Sequence, residues 1–302
     1  MVLGYLRYSL QVFPKKIYQL FTFNRQIGER KNMQEFGSVW TEAKLNAVEK
    51  YLGFYTTALK NHGFKLCYID AFAGSGSIKI KGGDEIEGSA IRAIKYPFDR
   101  FYFFEEDQLV IETLKQKISL IPEHKDVEFR NADCNSFLME IDKINWAKEH
   151  WRGVIFIDPY AMDLEWACLH QVSKTKVFDV WYLFPFMAIN RNLYKNGKIP
   201  LANKRKISLI LGTDDWEKII YSDSPQLSFF DGNNYQKTSV DNIKNYILAR
   251  LKQTFPTVSD QAVLLRNDRN SPQFLLCFAG SNPSSQSKML SLRAADYILS
   301  RL

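Results

Sequence analysis

The stretch YIDAFAGSGS, residues 68–77, carries an apolar strand into Asp70 and then, with no polar loop between, into Gly74 and Gly76. Glycines at such a turn let the backbone approach a ligand closely. In open α/β sheets ligands bind outside the carboxyl ends of the strands, and the first strand-to-helix turn commonly builds the site. The segment is not a dinucleotide fingerprint, because Lys79 stands where the third glycine belongs. Nor is it a phosphate loop, because G-x-x-x-x-G-K-[ST] is absent.

Working outward, short apolar runs alternate with helical patterns. KLCYID (65–70), RFYFFE (100–105), DVEFRN (126–131), GVIFID (153–158) and VFDVWYLF (177–184) read as strands. GSAIRAIKY, DQLVIETLKQKISL, CNSFLMEIDKINWAKEH and LEWACLHQVSK lie between them and read as helices. Repeated strand, helix, strand units predict an α/β domain whose parallel sheet is covered on both faces. Ahead of the first strand, Leu45, Val48, Leu52, Tyr55 and Leu59 recur at the spacing of an amphipathic helix, with Ser38 or Thr41 as its cap. Helices are expected near 201–221 and 241–253. AVLLR (262–266) and PQFLLCFAG (272–280) then form an antiparallel hairpin that closes a mostly parallel, seven-stranded sheet, and SKMLSLRAADYILSRL ends the chain as a helix.

The later strands also end in acids: Glu105 with Glu106 and Asp107, then Asp133, then Asp158. In a parallel sheet these ends share one edge. An acid after the second strand can accept from both ribose hydroxyls of an adenosine cofactor, and Asp133 can accept from an adenine amino group. Any one of these acids is as readily a helix N-cap. Four at successive strand ends beside a glycine turn point to a nucleotide or adenosyl site.

IDPYAMD, residues 157–163, suggests the reaction. An Asp158-Pro159 turn can aim a carboxylate and the proline carbonyl at an amino group, while Tyr160 offers a flat surface to a planar substrate. Methyl transfer to nitrogen needs that alignment, and it needs no strong base. A structural turn with Tyr160 packed on the sheet edge is the competing reading. The insert SIKIKGGDEIE (77–87) alternates Ile with charged residues around Gly82 and Gly83 and predicts a small hairpin, either a flap over the cofactor or a surface excursion.

Composition bounds the remainder. Of 302 residues, 46% are apolar and 24% charged, as in a globular protein, and the net charge is +7. Residues 1–31 hold six basic residues against Glu29, a net +5, and read as an N-terminal extension or basic anchoring arm ahead of a domain over 32–302. A second basic feature runs from Val180 to Thr213, which contains no acid. There Arg191, Lys195 and Lys198, followed by Lys204, Arg205 and Lys206, suit phosphate binding next to Asp158, with Tyr182, Phe184, Phe186 and Tyr194 available for stacking. A solvated basic loop with its aromatics in the core is the alternative. Phe178 and Trp181 read as core.

Cys67, Cys134, Cys168 and Cys277 are scattered, and His62, His124, His150 and His170 lack metal-ligand spacing, so neither a disulfide framework nor a metal site is expected. No apolar run is long enough to cross a bilayer, and a reduced, cytoplasmic, non-membrane setting is expected.

Taken together, FGSVWTEAKL (36–45), YIDAFAGSG, the GSA at 88–90, FYFFEED, FIDPY and FDVWYLFPFMAINR resemble the three-Cys-motif partner (TcmP) family and, behind it, the class I S-adenosylmethionine-dependent methyltransferases. Similarity runs from about Phe36 to Arg191 and more weakly through 272–283. The resemblance implies a Rossmann-like class I methyltransferase fold binding S-adenosylmethionine, with Asp70, Phe72, Gly74, Gly76, Glu105 and Asp133 on cofactor positions. It puts Asp158, Pro159 and Tyr160 on the DPPY-type position of amino methyltransferases, with one proline where that motif has two and Ala161 where similar proteins have glycine. Transfer to an amino nitrogen of a nucleic-acid base is the expected activity. The resemblance also implies a partner, a three-Cys-motif radical S-adenosylmethionine protein, and so an alternative role as a non-catalytic or accessory partner of that enzyme. A small-molecule or protein methyltransferase is a third reading.

Overall fold

The computed structural model describes residues 39–80, 84–122, 125–194, 197–223 and 235–302. The expected extension over 1–31, its boundary with the domain, and Ser38, His124 and Lys195 lie outside the described residues. In chain order the elements are α1 (Val39–Leu59), β1 (Lys65–Asp70), β2 (Ser77–Lys79), β3 (Glu85–Glu87), α2 (Ser89–Ala93), β4 (Arg100–Phe104), α3 (Gln108–Ser119) and β5 (Val127–Arg130). They continue with α4 (Cys134–Leu138), β6 (Trp151–Ile157), α5 (Trp166–Thr175), β7 (Phe178–Phe184), α6 (Phe186–Asn192), α7 (Leu201–Leu211), α8 (Trp216–Ile220), β8 (Tyr221–Asp223) and β9 (Tyr235–Lys237). The last are α9 (Val240–Thr254), β10 (Thr257–Val258), β11 (Val263–Arg266), β12 (Pro272–Gly280) and α10 (Ser285–Leu299).

The central sheet runs β10-β12-β7-β6-β1-β4-β5, with β11 also paired to β12. The β1, β4, β5, β6 and β7 strands are mutually parallel, and β12 runs antiparallel to β7. The fold is therefore Rossmann-like, a mostly parallel doubly wound sheet whose order reverses at β1. The sheet has eight strands rather than seven. Both β10 and β11 pair with β12, at Gly280/Ala279 and over Pro272–Leu276 respectively, so they share one position across the sheet.

Two faces, two cores. Every residue of β7 is buried, as a strand covered on both sides requires. Phe178, Val180, Tyr182 and Phe184 join one core cluster and Trp181 and Leu183 the other, the period-2 alternation of a strand. The first cluster packs under α5, α7 and α9. The second packs under α1, α2 and α10. Trp181 and Phe178 are thus core residues, as expected. So are Tyr182, Phe184 and Phe186, each at most 2% exposed, which corrects their assignment as a stacking surface: Tyr182 and Phe184 lie on the doubly covered β7, and Phe186 at the start of α6 packs into the same core cluster.

Two helical segments break where a single helix is expected. The run after Asp133 is α4 followed by a 3-10 turn over Ile141–Lys143, and the run over 201–221 divides at Gly212, which closes α7 in the left-handed conformation at φ 66°. A Cβ at Gly212 would fall 2.6 Å from the Trp166 ring, so the break lets two helices approach closely.

Candidate functional site

The turn after β1 continues the strand's pairing. Ala71 N–H donates to the Phe156 carbonyl (3.0 Å) and Ala73 N–H to the Phe104 carbonyl (2.8 Å), so the turn sits between the carboxyl ends of β6 and β4. Gly74 and Gly76 then adopt φ 61° and 79°, values that L side chains rarely adopt. Their surroundings differ. A Cβ at Gly76 would lie 2.8 Å from both Ile91 and Leu114, whereas one at Gly74 would meet nothing within 4 Å. Gly76 is a packing glycine, locked further by Gly88 N–H on its carbonyl at 2.8 Å. Gly74 lines open space. Half-buried Phe72 packs on the first core cluster.

Asp70 is fully buried under this turn. It accepts from Phe72 N–H and from the Tyr68 hydroxyl, both at 3.3 Å. Burial pushes its carboxyl up to about 7, against hydrogen bonds from Ser89, Phe72 N–H and Tyr68, while the charge of Asp158 on the neighbouring strand adds to the rise. Its oxygens thus organise the turn from beneath.

Glu105 is half-buried after β4, and its Oε1 accepts from Asp107 N–H at 2.9 Å, a bond that fixes the carboxylate and leaves acceptor capacity. Asp107 caps α3 through Leu109 and Val110 N–H. Asp133 caps α4, accepting from Asn135 N–H at 2.8 Å. For these two acids the capping role holds. Asp133 is nonetheless exposed at the edge.

The loops are laced together by two asparagines. Asn131 donates to the Glu105 and Glu106 carbonyls at 3.0 and 2.8 Å. Asn135 donates to Asp133 Oδ1 (2.9 Å) and the Asp163 carbonyl (2.6 Å), and its Oδ1 accepts from Glu165 N–H (3.0 Å) and the Cys168 thiol (3.2 Å). Burial pushes that thiol up to about 12, which keeps it a donor. Neither asparagine stands out in sequence, since each reads as an ordinary loop or cap residue.

At the end of β6, Asp158 is half-buried, Pro159 buried and Tyr160 77% exposed. Tyr160 is therefore not packed on the sheet edge. Lys44 of α1 ion-pairs with Asp158 Oδ2, the lysine side chain 7% and the aspartate side chain 21% exposed. The Lys44 ammonium also lies 5.2 Å from the centroid of Trp40 and 5.9 Å from that of Phe274. Sequence reasoning missed Lys44, which lies among the polar positions of an amphipathic helix 114 residues from its partner.

The basic segment after β7 is divided by the fold. Arg191 lies in the last turn of α6 and is exposed, as is Lys198. Lys204 bonds to Glu217 of α8 at 2.7 Å, so an acid outside the stretch neutralises part of its charge. Of the expected hairpin over 77–87, β2 and β3 pair antiparallel, with Ser77 opposite Glu87 and Lys79 opposite Glu85, fastened to α3 by Lys117 through Ser77 and Glu85, while Gly82 and Gly83 lie outside the described residues. Among the described residues no group of three or more metal-ligating side chains comes together, and no helix is long and apolar enough to cross a membrane.

No protein-family model matches this chain, and no curated protein matches it. Solved structures with related architecture include a protein of Legionella pneumophila (12% identity, TM-score 0.44, covering 84% of this chain and 92% of that one). Another is a putative S-adenosylmethionine-dependent methyltransferase of Listeria monocytogenes (12%, TM-score 0.37, 78% and 98%). A third is Trm1 of Pyrococcus horikoshii in complex with S-adenosyl-L-methionine (11%, TM-score 0.37, 82% and 58%). Likenesses this distant carry neither ligand nor reaction to this chain.

Proposed function

We propose that the chain is an S-adenosylmethionine-dependent methyltransferase acting on an amino nitrogen of a nucleic-acid base. The observation that carries the reading is the gathering of Asp70, Glu105, Asp133 and Asp158 at the carboxyl ends of four adjacent parallel strands, around a turn whose Gly74 faces open space. The residues fit the cofactor. The space that a Cβ at Gly74 would fill can receive the cofactor's amino-acid end against backbone. Glu105, fixed by Asp107 N–H, accepts from ribose hydroxyls, and exposed Asp133 accepts from the adenine amino group. The bound cofactor supplies a methyl carbon on a positively charged sulfur.

The chain's own residues position the acceptor. Asp158 and the Pro159 carbonyl accept the hydrogens of its amino group, which aims the nitrogen lone pair and stabilises the positive charge that builds on nitrogen. Tyr160, exposed at the edge, stacks on the planar ring. Arg191, Lys195 and Lys198 contact phosphates, which orient a polynucleotide without reading its sequence. The β2/β3 hairpin closes over the cofactor as a flap. Similarity to the three-Cys-motif partner family fits this assignment and adds a radical S-adenosylmethionine protein as a binding partner.

The test is transfer of labelled methyl from S-adenosylmethionine to bulk tRNA, to single-stranded DNA and to a peptide pool. Label in either nucleic acid, lost in Asp158→Ala, supports the reading. Label only in peptide would reassign the acceptor. A chain that binds no S-adenosylhomocysteine would instead be the accessory partner.

A further inference from the structure

The Lys44–Asp158 pair joins α1, which precedes the Rossmann core, to the strand end that carries the proposed acceptor contact. Three observations make it more than a surface ion pair. Lys44 is among the few buried charged residues. Its ammonium is flanked by the Trp40 and Phe274 rings, which themselves lie 5.1 Å apart at 39°. Its partner lies two residues beyond Phe156, the β6 residue that pairs with Asp70, so a second carboxyl ends the neighbouring strand.

Removing one partner of a desolvated pair leaves the other charge uncompensated. Lys44 is the cation that answers Asp158. Geometry matters as much as charge. The lysine engages Oδ2, and among the described residues no protein group bonds Oδ1. One carboxylate oxygen is anchored and the other remains to accept from a ligand.

Resting on the methyltransferase reading, we infer that Lys44 is a positioning residue: it holds the Asp158 carboxylate turned so that Oδ1 meets the acceptor's amino group. The aromatic pair of Trp40 and Phe274 keeps water from the ammonium, so the contact is strong and fixed. The acceptor class this selects is an amine that donates N–H to a carboxylate. A carbon acceptor, with no N–H or O–H at the reacting atom, gains no such contact.

The experiment is a cycle of Lys44→Met, Lys44→Arg and Asp158→Asn on the full chain, measuring S-adenosylhomocysteine affinity by calorimetry and methyl transfer to whichever polynucleotide the wild type methylates. Lys44→Met is expected to lower kcat about 100-fold, the cost of a misplaced catalytic group, while cofactor affinity stays as in wild type. Lys44→Arg is expected to restore most of that loss, and Lys44→Met is expected to add nothing on the Asp158→Asn background. Should Lys44→Met fail to fold, Lys44→Gln takes its place in the cycle. Wild-type kcat in the Lys44 variant, or equal losses on both backgrounds, overturns the role. A wild type that binds cofactor but methylates no polynucleotide overturns the transferase reading itself, and is distinguished by the inactivity of the unmutated chain.

Discussion

Asn135 Nδ2 donates to the carbonyl oxygen of Asp163 at 2.6 Å, so the first turn of α4 holds the loop that follows Asp158-Pro159-Tyr160. The same side chain accepts from Glu165 N–H and the Cys168 thiol. Asn135→Ala is expected to cost about 0.5–1.5 kcal/mol, the usual net worth of hydrogen bonds at groups that water can reach. It should also lower methyl transfer more than cofactor affinity, because the loop it frees carries the proposed acceptor contacts. Urea melts and turnover of the variant check both.

The two glycines of the turn should separate stability from binding. Gly76→Ala drives a Cβ into Ile91 and Leu114 at a strained φ, and is expected to destabilise the domain by several kcal/mol, on the order of 3. Gly74→Ala carries strain alone, about 1 kcal/mol, yet fills the space proposed for the cofactor. Thermal melts with and without S-adenosylhomocysteine should show a small loss of stability and a large loss of ligand stabilisation for Gly74→Ala.

Buried carboxyls give the fold a pH dependence. Burial raises Asp179 to about 7, opposed by the hydrogen bond from the Tyr51 hydroxyl at 2.7 Å, and burial likewise raises Asp70 to about 7. Unfolded carboxyls titrate near 4. Between those values the native state binds more protons than the unfolded one, so stability falls as pH rises from about 4 to about 7 and then levels. Each group contributes roughly 1.4 kcal/mol per pH unit inside that window. Tm should therefore be higher at pH 5 than at pH 8, and Asp179→Asn should flatten the slope. An unchanged slope in that variant would contradict the assignment.

Charge position, rather than net charge, should govern nucleic-acid affinity. Arg191→Ala is expected to weaken tRNA binding and reduce its salt slope by about one, while Lys204→Ala, already bonded to Glu217, should leave the slope nearly unchanged. Fluorescence titrations between low and moderate salt distinguish them.

Much of this architecture was legible because hydrophobic period survives burial. KLCYID and PQFLLCFAG coincide with β1 and β12, and the other expected strands agree within two residues at each end. What escaped is what pattern does not encode. The two-residue β10 and the β8/β9 hairpin are too short to carry a period, and the pairing of β10 and β11 with one strand is a tertiary outcome. At the site, the glycines and strand-end acids were readable from their place in the strand-turn units. Lys44 and Asn135 were not, because an isolated polar residue reveals its partner only when the sheet brings distant segments together.

The most direct test of the account is calorimetric titration of S-adenosylhomocysteine into the wild-type chain, Glu105→Ala and Asp158→Ala. The account predicts binding of one molecule per chain to the wild type, loss of that binding in Glu105→Ala, and its retention in Asp158→Ala. No binding to the wild type, or equal binding by Glu105→Ala, would contradict it.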